Sequence, residues 1–308
     1  MKKLLAIIYA AILTSVLYGD LAHAHGVIGQ RFIPSTLALE DPFPSDEMDL
    51  LSFNRGSRDK EGRETSFGFE FSKRLTPNLA IAIGWEYLLV DPSEGRKTSG
   101  AANPEFNLKY AWLRSAEHEG ILSVGFSIEP GGVGSKKVAE KVTTLGPALY
   151  FGKGLGDLPD SLNYLKPLAI TGSVEVGIPA NRRLAGEEER SSTTLGYGFA
   201  IMYSIPYLQS SIKDIGLGAP FDRMFPVAEF NFETNVNNPE RGATRSFFNP
   251  GLLWAGRHFQ LGLEAQVPLN NRSGKDVGVR SLVHVFIDDI WPNIFTWTPW
   301  GTIGATQR

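Results

Sequence analysis

Residues 64–90 read ETSFGFEFSKRLTPNLAIAIGWEYLLV, and this stretch decides the fold. Before Thr76-Pro77-Asn78, phenylalanines alternate with Gly, Glu and Ser, and after it large apolar residues alternate with Ala, Gly and Glu. A period of two sends the two sets to opposite faces of a β-sheet, and Pro-Asn favours a turn. The stretch is therefore predicted to be a β-hairpin with arms of about ten residues, the length of a tilted strand that crosses a bilayer.

The hairpin alone leaves two classes of protein open. A soluble barrel shows the same alternation with its apolar face turned inward, whereas a membrane barrel turns that face toward lipid. The rest of the chain has to decide between them.

The N-terminus predicts export. Lys2 and Lys3 precede an apolar run over residues 4–18, and small residues close the segment at residues 21–24. This is the pattern of a signal peptide, here residues 1–24 with cleavage after Ala24. No other apolar run approaches the length of a transmembrane helix, so any membrane role must use strands.

Composition narrows the class further. The chain has 308 residues, of which 42% are hydrophobic and 20% charged, as in a folded protein. A net charge of -3 argues against a general nucleic-acid binder. The absence of cysteine excludes disulfides and thiolate metal ligands. An exported chain of this kind needs an extensive hydrogen-bonded framework, and a closed barrel supplies one.

Alternation of period two recurs along the mature chain. It predicts about twelve strands, at residues 49–55, 64–75, 79–90, 104–114, 121–129, 143–151, 166–178, 193–203, 227–234, 246–257, 259–269 and 278–286. An even number of strands is typical of single-chain bacterial barrels. Residues 205–223 do not alternate and are predicted to be a small helix or a folded loop.

The connections differ in length in a regular way. Tight turns are predicted at residues 76–78, 115–119 and 256–258, and long polar loops begin at Asp91, Pro130, Pro179 and Asn270. Short turns at one end and long loops at the other are typical of outer-membrane barrels. Aromatic residues near predicted strand ends suggest interfacial girdles; they are Trp85, Tyr87, Tyr110, Trp112, Tyr150, Tyr203, Trp254 and Phe286.

Loop sorting and export together favour an all-β, transmembrane, antiparallel up-and-down β-barrel of about twelve strands. The predicted organisation is a signal peptide (1–24), an irregular periplasmic or plug segment (25–46), the barrel (47–287) and an aromatic C-terminal tail (288–308). Many barrels end on an aromatic residue of the last strand. Residues 293–300 are therefore an alternative last strand.

The polar face of the strands carries the functional candidates. Charges on the lipid face cost a few kcal/mol near the midplane, so these side chains are expected to face a lumen. They are Glu70, Glu86, Lys109, Glu175, Glu229, Asn231, Glu233, Glu264, Gln266 and His284, with Gln260 beside them. The facing of Arg280 depends on the register of the final strand. Two interpretations stay open: a carboxylate–amide ladder that closes a solid barrel, or a water-filled path with the N-terminal segment as gate.

Other chemistry finds little support in the sequence. Glycine-rich residues 131–136 and 152–156 miss the spacing of a phosphate-binding loop. His25 is a weak candidate copper ligand, and the other mature histidines lack ligand spacing. Ser281 and His284 lie three apart on one strand, hence on opposite faces, which disfavours a barrel hydrolase. No enzyme activity, cofactor or metal is predicted.

Several short motifs add a resemblance: HGVIG at 25–29, DPF at 41–43, DEMD at 46–49, YSIPYL at 203–208 and FIDDIWP at 286–292. Through them the chain resembles Gram-negative outer-membrane β-barrels of the transporter-like kind, loosely related to the outer-membrane proteins of phenol meta-cleavage pathways. The resemblance implies residence in the bacterial outer membrane. It also implies a channel or transporter for small solutes.

Taken together, these patterns lead us to expect passive passage of solutes through a polar, acidic lumen. The alternative is a non-conducting barrel with a structural or partner-binding role. The expected partners are outer-membrane lipid, a small-molecule solute and the barrel-insertion machinery, and no nucleic acid.

Overall fold

The computed structural model describes residues 26–181, 191–237 and 240–301. The predicted signal peptide and His25 lie outside these residues. The strands are β1 (Val27–Ile28), β2 (Arg31–Phe32), β3 (Glu47–Arg55), β4 (Gly62–Thr76), β5 (Leu79–Pro92), β6 (Thr98–Ala101), β7 (Glu105–Ser115), β8 (Gly120–Glu129), β9 (Thr144–Gly154), β10 (Leu168–Pro179), β11 (Thr194–Tyr203), β12 (Met224–Asn235), β13 (Thr244–Ala255), β14 (Phe259–Pro268) and β15 (Gly278–Phe286).

Twelve of these strands form a closed ring. Sequential neighbours pair antiparallel from β3 to β15, with the short β6 left out of the count, and β15 returns to pair with β3. The predicted barrel of about twelve strands is confirmed. Closure gives every strand of the ring a partner on both sides, and so leaves no open edge.

The β4–β5 hairpin has the predicted facing and is longer than predicted. Phe69 pairs with Trp85 and Phe71 with Ile83, and all four side chains point outward. Outward aromatic rings also stack from strand to strand, for example Tyr197 on Phe232 with ring centroids 5.1 Å apart. Such cross-strand pairs stabilise the sheet.

The loop predicted at residues 91–103 contains β6, which pairs with residues 87–90 of β5. Buried Asn103 fixes the end of this loop. Its amide donates to Glu129 Oε1 (2.9 Å) and to the carbonyl of Glu140 (2.8 Å), and its oxygen accepts from the backbone N–H groups of Val133 and Gly134. One side chain thus ties this connection to the loop after β8.

The two ends of the barrel differ. One end carries the first and last described residues and the tight turns at 77–78, 116–119 and 256–258, and we call it the terminal end. The other end carries the connections at 56–61, 93–104, 130–143, 180–193, 236–243 and 269–277, and we call it the loop end. Two connections at the terminal end are also long, at 155–167 and 204–223.

The sequence pattern singles out residues 205–223 as an exception and gives no sign of 155–167. Both connections contain short helical segments: Asp160–Leu165 in the first, and Ile205–Tyr207, Leu208–Ile212 and Phe221–Arg223 in the second. Short helices Ile287–Ile290 and Pro292–Phe295 follow β15, so a last strand at 293–300 is wrong. No helix among the described residues is long and apolar enough to cross a membrane.

Aromatic placement corrects part of the girdle prediction. Trp85, Tyr87, Tyr110 and Trp112 are exposed on the outer face.

Three of the predicted girdle residues are buried instead. Tyr150 points inward because its neighbours Leu149 and Phe151 take the outward positions of β9. Phe286 also points inward, and Trp254 is outward but covered by residues of the 204–223 connection.

A closed ring should survive detergent until it is heated, because every strand of the ring is hydrogen-bonded to a neighbour on both sides. We expect the purified protein to migrate faster on a denaturing gel when it is left unboiled than when it is boiled. The boiled half of each sample is the control. Recovery as a soluble periplasmic monomer would contradict the fold.

Candidate functional site

The ten lumen candidates all lie on the inward face of the ring. Strand alternation and register put Glu70 and Glu86 on one side, and Asn231, Glu233 and Gln266 on the other. Glu175 accepts a bond from inward Ser127 at 3.4 Å. The remaining four, Lys109, Glu229, Glu264 and His284, are buried inside the barrel. They are buried because the N-terminal part of the chain occupies the lumen.

This N-terminal part begins with the small hairpin β1–β2 at the terminal end. Arg31 is fully buried there, where it donates to Glu119 Oε2 at 3.2 Å and to the carbonyl of Pro167 at 3.2 Å. Its guanidinium also stacks on the ring of Tyr207 at 3.7 Å. From this fixed point residues 33–46 run through the lumen without regular structure, and we call them the plug segment.

Glu229, at the middle of β12, anchors the plug segment most directly. The side chain is 0% exposed and accepts from the backbone N–H groups of Leu37 (2.8 Å) and Ala38 (3.1 Å). Two N–H donors on one carboxylate are charge-assisted hydrogen bonds, the stronger kind. The buried carboxylate is thus satisfied by peptide where water would otherwise be needed.

Neighbouring strands hold the carbonyls of the same stretch. Gln260 on β14 donates to the carbonyl of Ser35 at 2.6 Å, and Arg280 on β15 donates to the carbonyl of Leu37 at 3.0 Å. Arg280 also donates to Gln266 through Nε (3.2 Å) and Nη2 (3.0 Å) once the Gln266 amide is oriented for it. The facing that sequence left open for Arg280 is inward, because it alternates with outward Val279 and Ser281.

A second anchor lies across the lumen on β7. Lys109 Nζ approaches Glu40 at 2.5 Å and Asp41 at 3.6 Å, and lies 5.4 Å from the centre of the Tyr150 ring. Sequence identified Lys109 as a base facing the lumen. The structure pairs it with carboxylates of the plug segment, which the periodicity of the strands alone could not reveal.

A third anchor closes the plug segment at the terminal end. Asp46 is 0% exposed and bridges Lys73 (2.5 Å) and Arg74 (2.6 Å), both on β4. Arg74 also contacts Asp288 in the C-terminal segment at 3.0 Å. The plug segment is therefore held at both ends and in its middle by charged groups.

Shape complements these polar anchors. Ile33, Leu39 and Phe43 pack in one buried cluster with inward residues of β11 to β13. Glycines of the barrel wall provide space for the leucines of the plug segment. A Cβ on Gly198 would lie 2.7 Å from Leu39, and one on Gly262 would lie 2.5 Å from Leu37. A side chain at either position would therefore have to displace the leucine side chain that the plug segment places there.

On the loop-end side of the plug segment the lumen is open. A cavity of about 480 Å³ lies against residues 36–40 and is walled by β3, β4, β5 and β15. Seven carboxylates and one guanidinium line it, namely Glu40, Asp49, Glu64, Glu70, Glu86, Glu105 and Glu129 against Arg280. Glu105 and Glu129 were missed because they lie at strand ends, although the parity of Phe106 and Ile128 would have placed both inward.

A second cavity of about 430 Å³ continues toward the loop end and shares Asn54, Glu64 and Arg280 with the first. It is lined by Arg63 and Arg245 as well as Glu233. Acidic groups thus dominate the deeper cavity, and the outer one mixes both signs.

Ion pairs connect the loops around the outer mouth. Arg245 contacts Asp59 (3.3 Å) and Glu61 (3.2 Å), and Arg63 pairs with Asp276. The backbone N–H of Arg58 and the guanidinium of Arg63 hold the pKa of Asp276 below its usual range. The Asp276 carboxylate therefore stays ionised, and its pairing persists, over the ordinary pH range.

Two further candidates, Ser281 and His284, lie on β15. His284 is buried, with Nδ1 2.6 Å from Asp49 and Nε2 3.4 Å from Glu47. Ser281 faces outward on the same strand, which separates it from His284 as the alternation predicted. Among the described residues no group of histidine and carboxylate side chains could hold a metal ion.

Comparisons with known proteins bear on the fold. A scan against protein-family models and a search of curated proteins find no match. A solved outer membrane channel from Pseudomonas putida F1, named COG4313, is similar with a TM-score of 0.52 and 11% identity, over 83% of this chain and 99% of that one. NanC porin (TM-score 0.47, 11% identity, 77% and 98% covered) and KdgM porin (0.45, 12%, 76% and 97%) are more distant. The chain has the fold of an outer-membrane β-barrel.

Proposed function

We propose that this chain is a channel for passive passage of small solutes across the bacterial outer membrane, and that the plug segment closes it in the conformation of this structure. The observation that carries the proposal is the pair of adjacent polar cavities between the loop end and the plug segment. Their volumes of about 480 and 430 Å³ fall in the range that accommodates small-molecule ligands. The fold is also that of a protein described as an outer membrane channel.

The solute preference follows from the charge of the deeper cavity. Seven carboxylates and one guanidinium line this cavity, and of the seven Glu40 pairs with Lys109 and Asp49 with His284. Acidic groups remain in excess, so the field attracts cations and repels anions. Glu229, which sequence alone would include in this field, is covered by Leu37 and Ala38 and does not face the cavity. We propose a preference for cationic or neutral solutes over anions.

A second function is favoured by the strength of the plug anchors. Glu229, Lys109 and Asp46 are all buried. Glu229 and Lys109 are wall residues that bind the plug segment, and Asp46 is a plug residue that binds the wall. This suits a barrel that never opens and serves as a structural or partner-binding element. Conductance separates this alternative from a channel.

Localisation and kinship are part of the proposal. The predicted signal peptide supports export, and the short motifs support a loose relation to the outer-membrane proteins of phenol meta-cleavage pathways. Because tight turns of such barrels face the periplasm, we assign the terminal end to the periplasm and the loop end to the exterior.

The first prediction concerns the plug anchor. Glu229→Gln removes the charge that accepts two N–H groups, and a hydrogen bond to a charged group contributes about 1.5–3 kcal/mol. The open fraction in planar bilayers should rise about tenfold or more, since about 1.4 kcal/mol corresponds to a factor of ten. Glu233→Gln, on the same strand with the same loss of charge, lines the outer cavity away from the plug segment and is the matched control.

Equal open fractions for the two variants would mean that Glu229 does not hold the gate. No conductance in either variant or in the parent would establish the non-conducting alternative. Both variants should first show the heat-dependent migration of a folded barrel.

The second prediction concerns selectivity. Glu86→Gln combined with Glu105→Gln removes two cavity carboxylates and should move the reversal potential in a salt gradient toward zero from a cation-selective value. Glu94→Gln, on an exposed loop outside the cavities, should leave it unchanged. The difference should shrink near one molar salt, where screening shortens to about 3 Å. An anion-selective parent would refute the assignment.

The third prediction concerns orientation. The chain has no native cysteine, so a single cysteine reports without background. Val133→Cys at the loop end should react with an impermeant maleimide on whole cells, whereas Asn78→Cys in a tight turn should react only after the outer membrane is opened. The reverse pattern would invert the topology.

A further inference from the structure

Three segments at the terminal end bend outward over the barrel wall: residues 160–165, residues 205–223, and residues 287–300 after β15. We call them together the collar. Each one contacts an outward-facing residue of the strands and exposes apolar side chains beyond it. Tyr207 and Asp288 of the collar contact Arg31 and Arg74 at the terminal end. The exposed apolar side chains of the collar line neither cavity, so the proposed channel function leaves them unexplained.

The first segment lies beside β11. The hydroxyl of Tyr203, an outward residue at the end of that strand, donates to the carbonyl of Tyr164 at 3.1 Å. Leu162, Tyr164 and Leu165 are exposed beyond this contact. The segment therefore continues the outward face of the barrel past the end of the strand.

The second segment covers β13 in the same manner. Trp254 follows outward Leu252 on this strand, and its indole N–H donates to the carbonyl of Pro220 at 3.1 Å. Ile215, Leu217 and Phe221 are exposed on the far side of the segment. An outward tryptophan is thus covered by chain whose own outer surface is again apolar.

The third segment runs along β4. The ring of Phe295 packs edge to face on outward Phe71, with centroids 6.1 Å apart. Lys73 donates to the carbonyls of Phe295 (2.9 Å) and Trp297 (2.8 Å), and the backbone N–H of Trp300 donates to the carbonyl of Leu75. These bonds fix the segment against the outside of the wall.

The exposed side chains of the third segment are the largest in the collar. Trp291, Ile294, Trp297 and Trp300 are each between 50 and 59% exposed. Three of the six tryptophans of the chain lie here. Tryptophan is enriched where membrane meets water, because its ring is apolar and its N–H is polar.

These contacts decide what covers the collar. The contacts with Tyr203, Trp254 and Phe71 all lie on the outward surface that the strands present to lipid, and none of the three faces the lumen. Their apolar side chains are therefore continuous with the lipid-facing belt. Contiguous apolar surface of this kind is rare on protein that faces water.

We propose that the collar lies in the headgroup region of the membrane leaflet at the terminal end, where it binds phospholipid and fixes the depth of the barrel. Apolar side chains enter the boundary between headgroups and acyl chains, as in interfacial helices. Backbone groups and charges such as Lys213 remain among the headgroups. The occupant is phospholipid, and coverage by a second copy of the chain or by another protein would give a different labelling pattern.

The experiment uses single cysteines carrying a nitroxide spin label, in bilayers of phosphatidylethanolamine and phosphatidylglycerol. Collar positions are Tyr164→Cys, Leu217→Cys and Ile294→Cys. Leu263→Cys, outward at the middle of β14, marks the bilayer interior, and Val133→Cys marks water. The collision ratio of oxygen to a soluble nickel chelate should be several-fold higher at the collar than at Val133, and lower than at Leu263.

A ratio at the collar equal to that at Val133 would overturn the proposal, because the collar would then face water. Labels inaccessible to both reagents would overturn it too, because protein would then cover the collar. Each variant must show heat-dependent migration before it is counted.

A second measurement needs no cysteine. Phospholipid brominated near the headgroup should quench tryptophan emission in the reconstituted protein, and Trp297→Phe with Trp300→Phe should remove part of the quenched emission. If the two substitutions removed only emission that the brominated lipid does not quench, Trp297 and Trp300 would not contact lipid. This measurement is independent of conductance, so it stands or falls separately from the channel proposal.

Discussion

Backbone pairing between β15 and β3 is the constraint on which the rest of the structure depends. Hydrocarbon offers no partner to an N–H or C=O group, so a sheet in a bilayer must close on itself. The pairs from Val279–Arg55 to Phe286–Glu47 complete the ring. Closure in turn creates an inside, and the polar face that every strand carries has nowhere else to lie.

Near the terminal end, the polar groups of the lumen are bound by the plug segment, where water would bind them in an open lumen. Residues of the plug segment supply N–H groups to Glu229, carboxylates to Lys109 and a carbonyl to Arg280. Each bond replaces water that a buried polar group would otherwise require. The wall and the plug segment therefore satisfy each other's buried polar groups. The cavities begin on the loop-end side of residues 36–40.

Sequence could predict the ring because its signal is local. A period of two along each strand fixes which residue faces which way, and so the parity of Phe67 or Trp85 places Glu70 and Glu86 inward without knowledge of their neighbours. Failures occur where the signal is not local. Leu37 and Glu229 are 192 residues apart, and residues 33–46 have no period that could announce their path.

The aromatic girdle failed for a related reason. Proximity to a predicted strand end placed Tyr150 and Trp254 at the membrane surface, but parity turns Tyr150 inward and a distant connection covers Trp254. Helical segments of that connection carry no long amphipathic period, because Ile205–Tyr207 and Leu208–Ile212 are too short to show one. Their outward path depends on contacts that only the closed ring provides.

The burial of Glu229, Lys109 and Asp46 has a consequence for how the lumen fills. If residues 33–46 withdrew, the ionised groups on both sides of these contacts would lose their partners at once and draw in hydration. Opening would thus begin as a wetting event, driven by the hydration of the wall's own ions. A gate of this design resists collapse to a dry, vapour-like state, because its vacated space is already lined with charge.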